Sequence, residues 1–393
     1  MSTTGTFTTN MIIAAAAYAP LEICIDIFDR LEDDRQTLQS CALTCRAWLN
    51  AARLYLFRTA KLNKESIPGF RAILSHAPAI GFCVRVLHLN ATAAQGFQLL
   101  RDLPNVKHLM LSGWILRHEV DDNLAACLNK LDTLELNDCN FTAAELPRIL
   151  SACHGLSSLS LRDVTWPLLF GPRGRWPRFC DLSRDVLQIV PKSLLHVQNF
   201  SIIDCTMLVC ELITRGKIFK QSPCLTLTHP ETGVMQRLLT RWGPSIKDLK
   251  FIFADQRDTE KLPPDLDALT ELVSLTIERR PLGDIKGLPI WLTRALKHVR
   301  SCDFRHLKVI TGVGWHLETR REHWQPVLDA LGDLAKRSGG VNFVFEARHT
   351  SDYYRGRASV PLKDLLEATL VRESPPGLTV EVVVHTDSKE PPP

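Results

Sequence analysis

Apolar side chains recur along this chain in two distinct rhythms. Between Pro20 and Leu62 the spacing is helical. Ile23, Ile27 and Leu31 stand at i, i+4 and i+8, and Cys24 and Phe28 widen that face. Leu38, Cys41, Ala42, Cys45 and Leu49 make a second stripe, and a third helix opens at Trp48 and runs through Ala52 to Leu56. Pro20 suits a first helical turn, where its missing N–H has no partner to lose, and Glu22 meets the positive end of the helix dipole. Asp33 or Asp34 caps the second helix.

Beyond Leu62 the rhythm becomes L-x-x-L-x-L. Nine segments fit it, beginning at Val84, Val106, Leu131, Leu156, Val197, Ser222, Ile246, Leu272 and Phe304. Six of the eight gaps between them are 22 to 26 residues, within the range of roughly 20–29 residues that marks leucine-rich repeats. Ser222 is the one polar residue at a first position. The stretches 93–103, 121–128, 143–153 and 234–242 carry apolar residues at helical spacing, and Thr142 with Glu145 forms a capping box. Strand then helix, repeated, predicts a right-handed βα solenoid in which each unit buries its Leu face against its neighbours. One such Leu contributes on the order of 1.5–3 kcal/mol, so a single unit cannot stand alone.

The longest gap, 41 residues, holds Trp166-Pro167 and Gly171-Pro172-Arg173-Gly174-Arg175-Trp176-Pro177, which read as an inserted surface loop or a partner-contacting one. After Phe304 the period degrades. A helix is predicted over 324–338, a strand over 341–346, a helix over 360–371 and a strand over 378–384, forming an irregular last repeat or a cap.

The front helices hold more apolar side chains than about forty residues can bury alone. Pattern leaves two readings open there, a helical cap on the rest of the chain or a surface for another protein. Pro20-Leu21-Glu22-Ile23, Asp33-Asp34, Cys41-Ala42-Leu43-Thr44-Cys45-Arg46-Ala47-Trp48 and the run from Leu54 to Phe57 resemble the F-box, in the form abundant in fungi. The family's usual Leu before the proline is Ala19 here. The resemblance implies docking on the adaptor Skp1, and through it on a cullin–RING ubiquitin ligase. By match to the family motif, Pro20, Leu21, Ile23, Ile27, Leu31, Leu38, Leu43, Cys45 and Trp48 face or support that adaptor.

Composition narrows the alternatives. A net charge of +4 with acids and bases interspersed offers no basic block for nucleic acid. No apolar run approaches the roughly 20 residues of a membrane span, and Met11 to Ala17 is short and lacks a preceding basic residue. Twelve cysteines without a framework of spacings read as free thiols in a reducing compartment, cytoplasmic and/or nuclear. Cys41 and Cys45 stand at i and i+4, but a structural zinc needs two further ligands in another close pair. His88, His108 and His306 fall on strand positions that face away from the core. Nucleotide, P-loop, zinc-protease and nucleophile-elbow motifs are missing, so no cofactor is expected.

The predicted fold is α/β: a three-helix F-box followed by a curved leucine-rich-repeat-like βα solenoid with a parallel sheet. Its expected boundaries are a disordered tail over 1–17, the F-box over 18–62, the solenoid over 63–320, an irregular C-terminal repeat or cap over 321–386 and a disordered tail over 387–393. Positions 3, 5 and 7 of each repeat alternate onto the concave face, where a protein target is expected to meet His108, Met110, Glu135, Asn137, Ser160 and Arg162. The function these readings imply is non-catalytic: a substrate-recognition subunit of an SCF-type ubiquitin ligase. A scaffold that binds Skp1 without ligase activity and an enzyme with a diverged site in the C-terminal part are the alternatives.

Overall fold

The computed structural model describes residues 21–90, 93–114, 122–141, 145–165, 195–206, 209–210, 213, 219–228, 232–253, 262–279, 287–313, 321–349, 362–371 and 374–386. The predicted loop at 166–177, Thr142 of the capping box and both tails lie outside them. The chain forms two compact units, Met1–Leu156 and Ser157–Pro393.

The first unit opens with three helices, α1 (Leu21–Arg30), α2 (Arg35–Ala42) and α3 (Arg46–Leu56). Strand and helix then alternate: β1 (Thr59–Asn63), α4 (Ser66–His76), β2 (Val86–Asn90), α5 (Ala93–Arg101), β3 (His108–Ser112), α6 (Asp122–Leu128), β4 (Thr133–Asn137) and α7 (Glu145–Ala152). Its strands are parallel in the order β1-β2-β3-β4. β1 and α4 have no counterpart among the predicted elements.

The second unit continues with β5 (Ser158–Arg162), β6 (Leu195–His196), β7 (Asn199–Ile203), β8 (Phe219–Gln221), β9 (Cys224–Thr228), α8 (Thr232–Trp242), β10 (Asp248–Phe253), β11 (Ser274–Arg279), α9 (Gly287–Lys297) and β12 (His306–Val313). It ends with α10 (Arg321–Ser338), β13 (Val341–His349), α11 (Leu362–Leu370) and β14 (Leu378–Thr386). Its parallel order is β5-β7-β9-β10-β11-β12-β13-β14, with β6 and β8 forming a separate pair. Residues 321–386 therefore extend the same alternation, with a longer period because α10 alone is 18 residues.

All nine predicted segments form strands, each starting two residues into its pattern. The first, fourth and sixth positions are buried in every one. Leu87, Leu109 and Leu134 stand in one register row of the first unit, and Leu159, Phe200, Leu225, Leu249, Leu275, Leu307 and Phe343 in one row of the second. A slip of one residue would turn every one of these outward, so the row itself fixes the register. Ser222 is buried as well, and its hydroxyl donates to the Cys224 carbonyl at 3.0 Å.

Strand ends repeat too. Gly113, Asp138, Asp163 and Asp204, each directly after a strand, take a left-handed conformation with φ of 68, 50, 51 and 51°. Glycine adopts it freely, and Asp tolerates it better than most residues. The next residue turns inward as Trp114, Cys139, Val164 or Cys205. The Cys139 thiol lies 3.4 Å from the Leu111 carbonyl and 3.3 Å from that of Asn137. Cys205 meets Leu161 and Ile203 in the same way. Burial pushes the two thiols up to about 11 and about 12, so both stay protonated donors. These cysteines occupy the Asn/Cys position that follows L-x-x-L-x-L in leucine-rich repeats.

Helices lock onto strands through tryptophans. Trp242 of α8 meets Phe200 edge-on at 5.6 Å, Trp291 of α9 meets Phe253 at 5.0 Å, and Trp324 of α10 meets Phe345 at 5.3 Å. In the first unit Trp114 presses against α5 at Gly96, where an added Cβ would lie 2.5 Å from the indole. Gly96→Ala is expected to lower stability by about 1–3 kcal/mol through overpacking, read from the urea midpoint at unchanged m.

Candidate docking surface on the amino-terminal helices

Three short helices enclose a small core of Cys24, Phe28, Leu38, Ala51 and Ala52, with Leu31, Cys41, Ala42, Trp48, Tyr55 and Leu56 packed around it. Phe28 is its centre. Trp48 meets it edge-on at 5.5 Å and Tyr55 lies 5.8 Å away. Alanines on α3 let that helix approach closely, which leaves little volume for larger side chains inside.

Polar contacts fix the helix ends. Asp34, not Asp33, caps α2: its carboxylate accepts from the Thr37 hydroxyl at 2.6 Å and from the Thr37 N–H at 3.0 Å. Those bonds hold its pKa below the usual carboxylate value. The Tyr55 hydroxyl donates to Asp29 at 2.8 Å, tying α3 to α1. Burial first, and that bond second, push Tyr55 up to about 12. Arg58 pairs with Glu32 at 3.0 Å across the mouth of a groove of about 540 Å³. The groove runs between the turn after α1, the end of α3 and β1, over Leu38, Phe57 and Phe70. Its lining mixes these apolar groups with the polar side chains of Glu32, Asp33, Arg35, Thr59 and Lys61.

The inward face of α1 differs from the predicted one. Cys24, Phe28 and Leu31 point into the core, whereas Ile23 is 53% exposed and Ile27 half-buried. The aromatic ring wins the interior because it removes more apolar area than either isoleucine. Leu38, placed by the motif among adaptor-facing or supporting residues, is 1% exposed and so supports from within. Leu31, Cys45 and Trp48 are partly buried and shape the surface from below. Pro20 and the side chain of Leu21 lie outside the described residues. Leu43, in the turn between α2 and α3, is 87% exposed, and Leu54 on α3 is 50% exposed. A side chain as exposed as Leu43 contributes little to the core of these helices.

Residues 20–62 match the F-box-like family model. The exposed Leu43 and Ile23 thus lie inside the F-box-like domain, on positions the motif assigned to the adaptor. No curated protein matches the chain at a level that carries an argument.

The predicted target face is polar and outward in both units. On the first, the His108 imidazole lies 2.9 Å from the Glu135 carboxylate, both half-buried, and its ring stands 6.0 Å from that of His88. Burial, with Lys61 and His108 nearby, lowers the His88 pKa. Met110 and Asn137 sit half-buried on the same face. On β5 of the second unit Ser160 is half-buried and Arg162 exposed. Elsewhere on that unit Lys250 pairs with Glu278, while Lys308 at 2.6 Å and Arg348 at 2.9 Å both pair with buried Glu346. Burial alone would raise the Glu346 pKa, but the two cations outweigh it and hold it low.

One side-chain cluster went unnoticed in the sequence because its members come from separate segments. Asp265, Asp267 and His298 converge with ligand atoms within 4.8 Å of one another, all exposed. Arg300 pairs with Asp267 at 3.0 Å, so that acid already has a cation of the chain's own, and Asp265 lies 3.4 Å from the His298 ring. Cys41 and Cys45 carry free thiols.

Two outcomes separate core from surface on the front helices. Phe28→Ala is expected to cost about 3–5 kcal/mol, and Leu43→Ala to stay within about 0.5 kcal/mol of the parent, in thermal or urea unfolding. On the sheet face, the stabilisation from Glu346 is full above the unfolded carboxylate value of about 4.3 and is lost as pH falls through its lower folded value. Glu346→Gln should flatten that acid limb of the stability curve.

Proposed function

We propose that this protein is the substrate-recognition subunit of an SCF-type ubiquitin ligase. The F-box-like domain docks on a Skp1-like adaptor and through it on a cullin, and the repeat array holds a protein target. One observation carries the reading: within the F-box-like segment, Leu43 and Ile23 stand in solvent although the helices already have a complete core of their own. Pro20, Leu21, Ile23, Ile27 and Leu43 make the adaptor contact in this reading, and Leu31, Leu38, Cys45 and Trp48 support them.

The chain itself performs no chemistry in this scheme. It raises the concentration of target lysines near the charged ubiquitin carrier by holding both on one particle. The target meets the outward sheet positions His108, Met110, Glu135, Asn137, Ser160 and Arg162. Exchange of such polar side chains alters partner choice with little effect on the fold. No described helix is long and apolar enough to cross a membrane. The chain acts in the cytoplasm, the nucleus or both, where the ligase assembles.

Co-expression with Skp1 tests the docking. The full chain is expected to be captured in pull-down, Ile23→Asp with Leu43→Asp to lose at least about tenfold in affinity, and Glu135→Ala or Arg162→Ala to bind as before. A full chain that stays unbound would refute the adaptor reading. Adaptor binding without cullin association would point to a scaffold outside the ligase.

A further inference from the structure

The outermost strand of the second unit's sheet is long and unusually plain. β14 has nine residues, Leu-Thr-Val-Glu-Val-Val-Val-His-Thr, and pairs in the sheet only with β13. Val341 donates its N–H to the Gly377 carbonyl at 3.0 Å. In a parallel ladder a residue turns both its N–H and its C=O to one side. Gly377, Thr379, Glu381, Val383 and His385 therefore bond toward β13, and Val380, Val382 and Val384 turn their backbone groups away from it. Among the described residues nothing bonds to these three.

An open row of N–H and C=O groups is a template for another strand, and edges are normally blunted by shortness, charge or proline. β1 of the first unit is blunted: it has five residues, Lys61 at its centre, and Ser66 Oγ on the Asn63 N–H. β14 has none of these devices at its outward-bonding positions. Its charges, exposed Glu381 and His385, stand on the alternate residues.

We propose that this edge pairs antiparallel with the same edge of a second copy of the chain, about a two-fold axis at Val383. That register sets Val382 opposite the partner's Val384 and Val380 opposite the partner's Thr386, so outward-bonding residues meet each other as an antiparallel ladder requires. It also sets the Glu381 carboxylate opposite the partner's His385 imidazole, twice by symmetry, so that a hydrogen-bond acceptor faces a ring that can donate at a directly facing pair. An axis at Val382 satisfies the backbone equally but leaves each glutamate facing a valine. His385 already has a carboxylate on its inner side, Glu346 at 3.4 Å, and Glu381 of the partner supplies one on the outer side. A strand drawn from residues 387–393 would bring Pro391, Pro392 and Pro393 to this edge with no N–H to donate. The dimer does not depend on the ligase reading. Where that reading holds, two docking modules and two target faces ride on one particle, and a target with two sites is held by both.

Sedimentation of the full chain over a concentration series tests this, with far-UV circular dichroism confirming that each variant is folded. The parent is expected at twice the single-chain mass of 44.2 kDa. Glu381→Lys removes the carboxylate acceptor that faces the imidazole and should weaken the dimer at least about tenfold. His385→Lys sets an ammonium donor opposite the carboxylate and should keep the dimer. Val382→Pro removes one outward N–H, leaves the β13 ladder intact and should yield monomer. A parent chain that is monomeric at every concentration overturns the proposal. A dimer that Glu381→Lys and Val382→Pro leave unchanged also overturns it. A monomer that dimerises only when residues 387–393 are removed would assign the edge to the tail and overturn it as well.

Discussion

Register between neighbouring strands is the constraint on which this molecule depends. Each strand offers two or three apolar side chains to the helix side, too few to bury alone. Set in line with the next strand's, they close a continuous core, as Leu249, Leu275, Leu307 and Phe343 do. The left-handed residue after several strands keeps that line. It turns the chain at a fixed point, so the next inward side chain lands one layer further on. Cys139 and Cys205 then bond to the neighbouring turn, and the repeat carries its own spacing device.

The front helices obey a different constraint. Their interior is filled by Phe28 and Leu38 with Cys24, Ala51 and Ala52, while Leu43, Ile23 and Leu54 stand outside. A mutation that filled the core better would not hide them, because no further interior exists. Surplus apolar surface on a module this small is a property of its size. The family match over residues 20–62 and the exposure of Leu43 are independent observations that meet at the same residues.

Much of the repeat array was readable from spacing, because a strand with one buried face has a period of two that survives any change of individual residue. The nine strands of the repeat between Val86 and Val313 follow from it directly, whereas the short β6 and β8 do not. β1 did not, since Thr59-Ala60-Lys61-Leu62-Asn63 has an alternation too short to stand out from the helix before it. α9 did not either, because Gly287 and Pro289 at its start read as breakers, although proline is harmless in a first turn. The face of α1 was misread because six apolar residues in ten fit more than one stripe, and only the volume of Phe28 decides between them. Cluster chemistry such as Asp265 with His298 is invisible to spacing, since tertiary packing alone brings those residues together.

Nearest-neighbour construction also bears on how this chain can change. In a stack where each layer touches only the next, a substitution on an outward position is felt by one or two layers and no more. His108 and Glu135 can therefore be exchanged without disturbing the helices that carry Leu43, since neither side chain enters the core between them. The front helices and these outward strand positions share a chain but not a packing network, and that separation follows from the geometry of the repeat rather than from any particular residue in it.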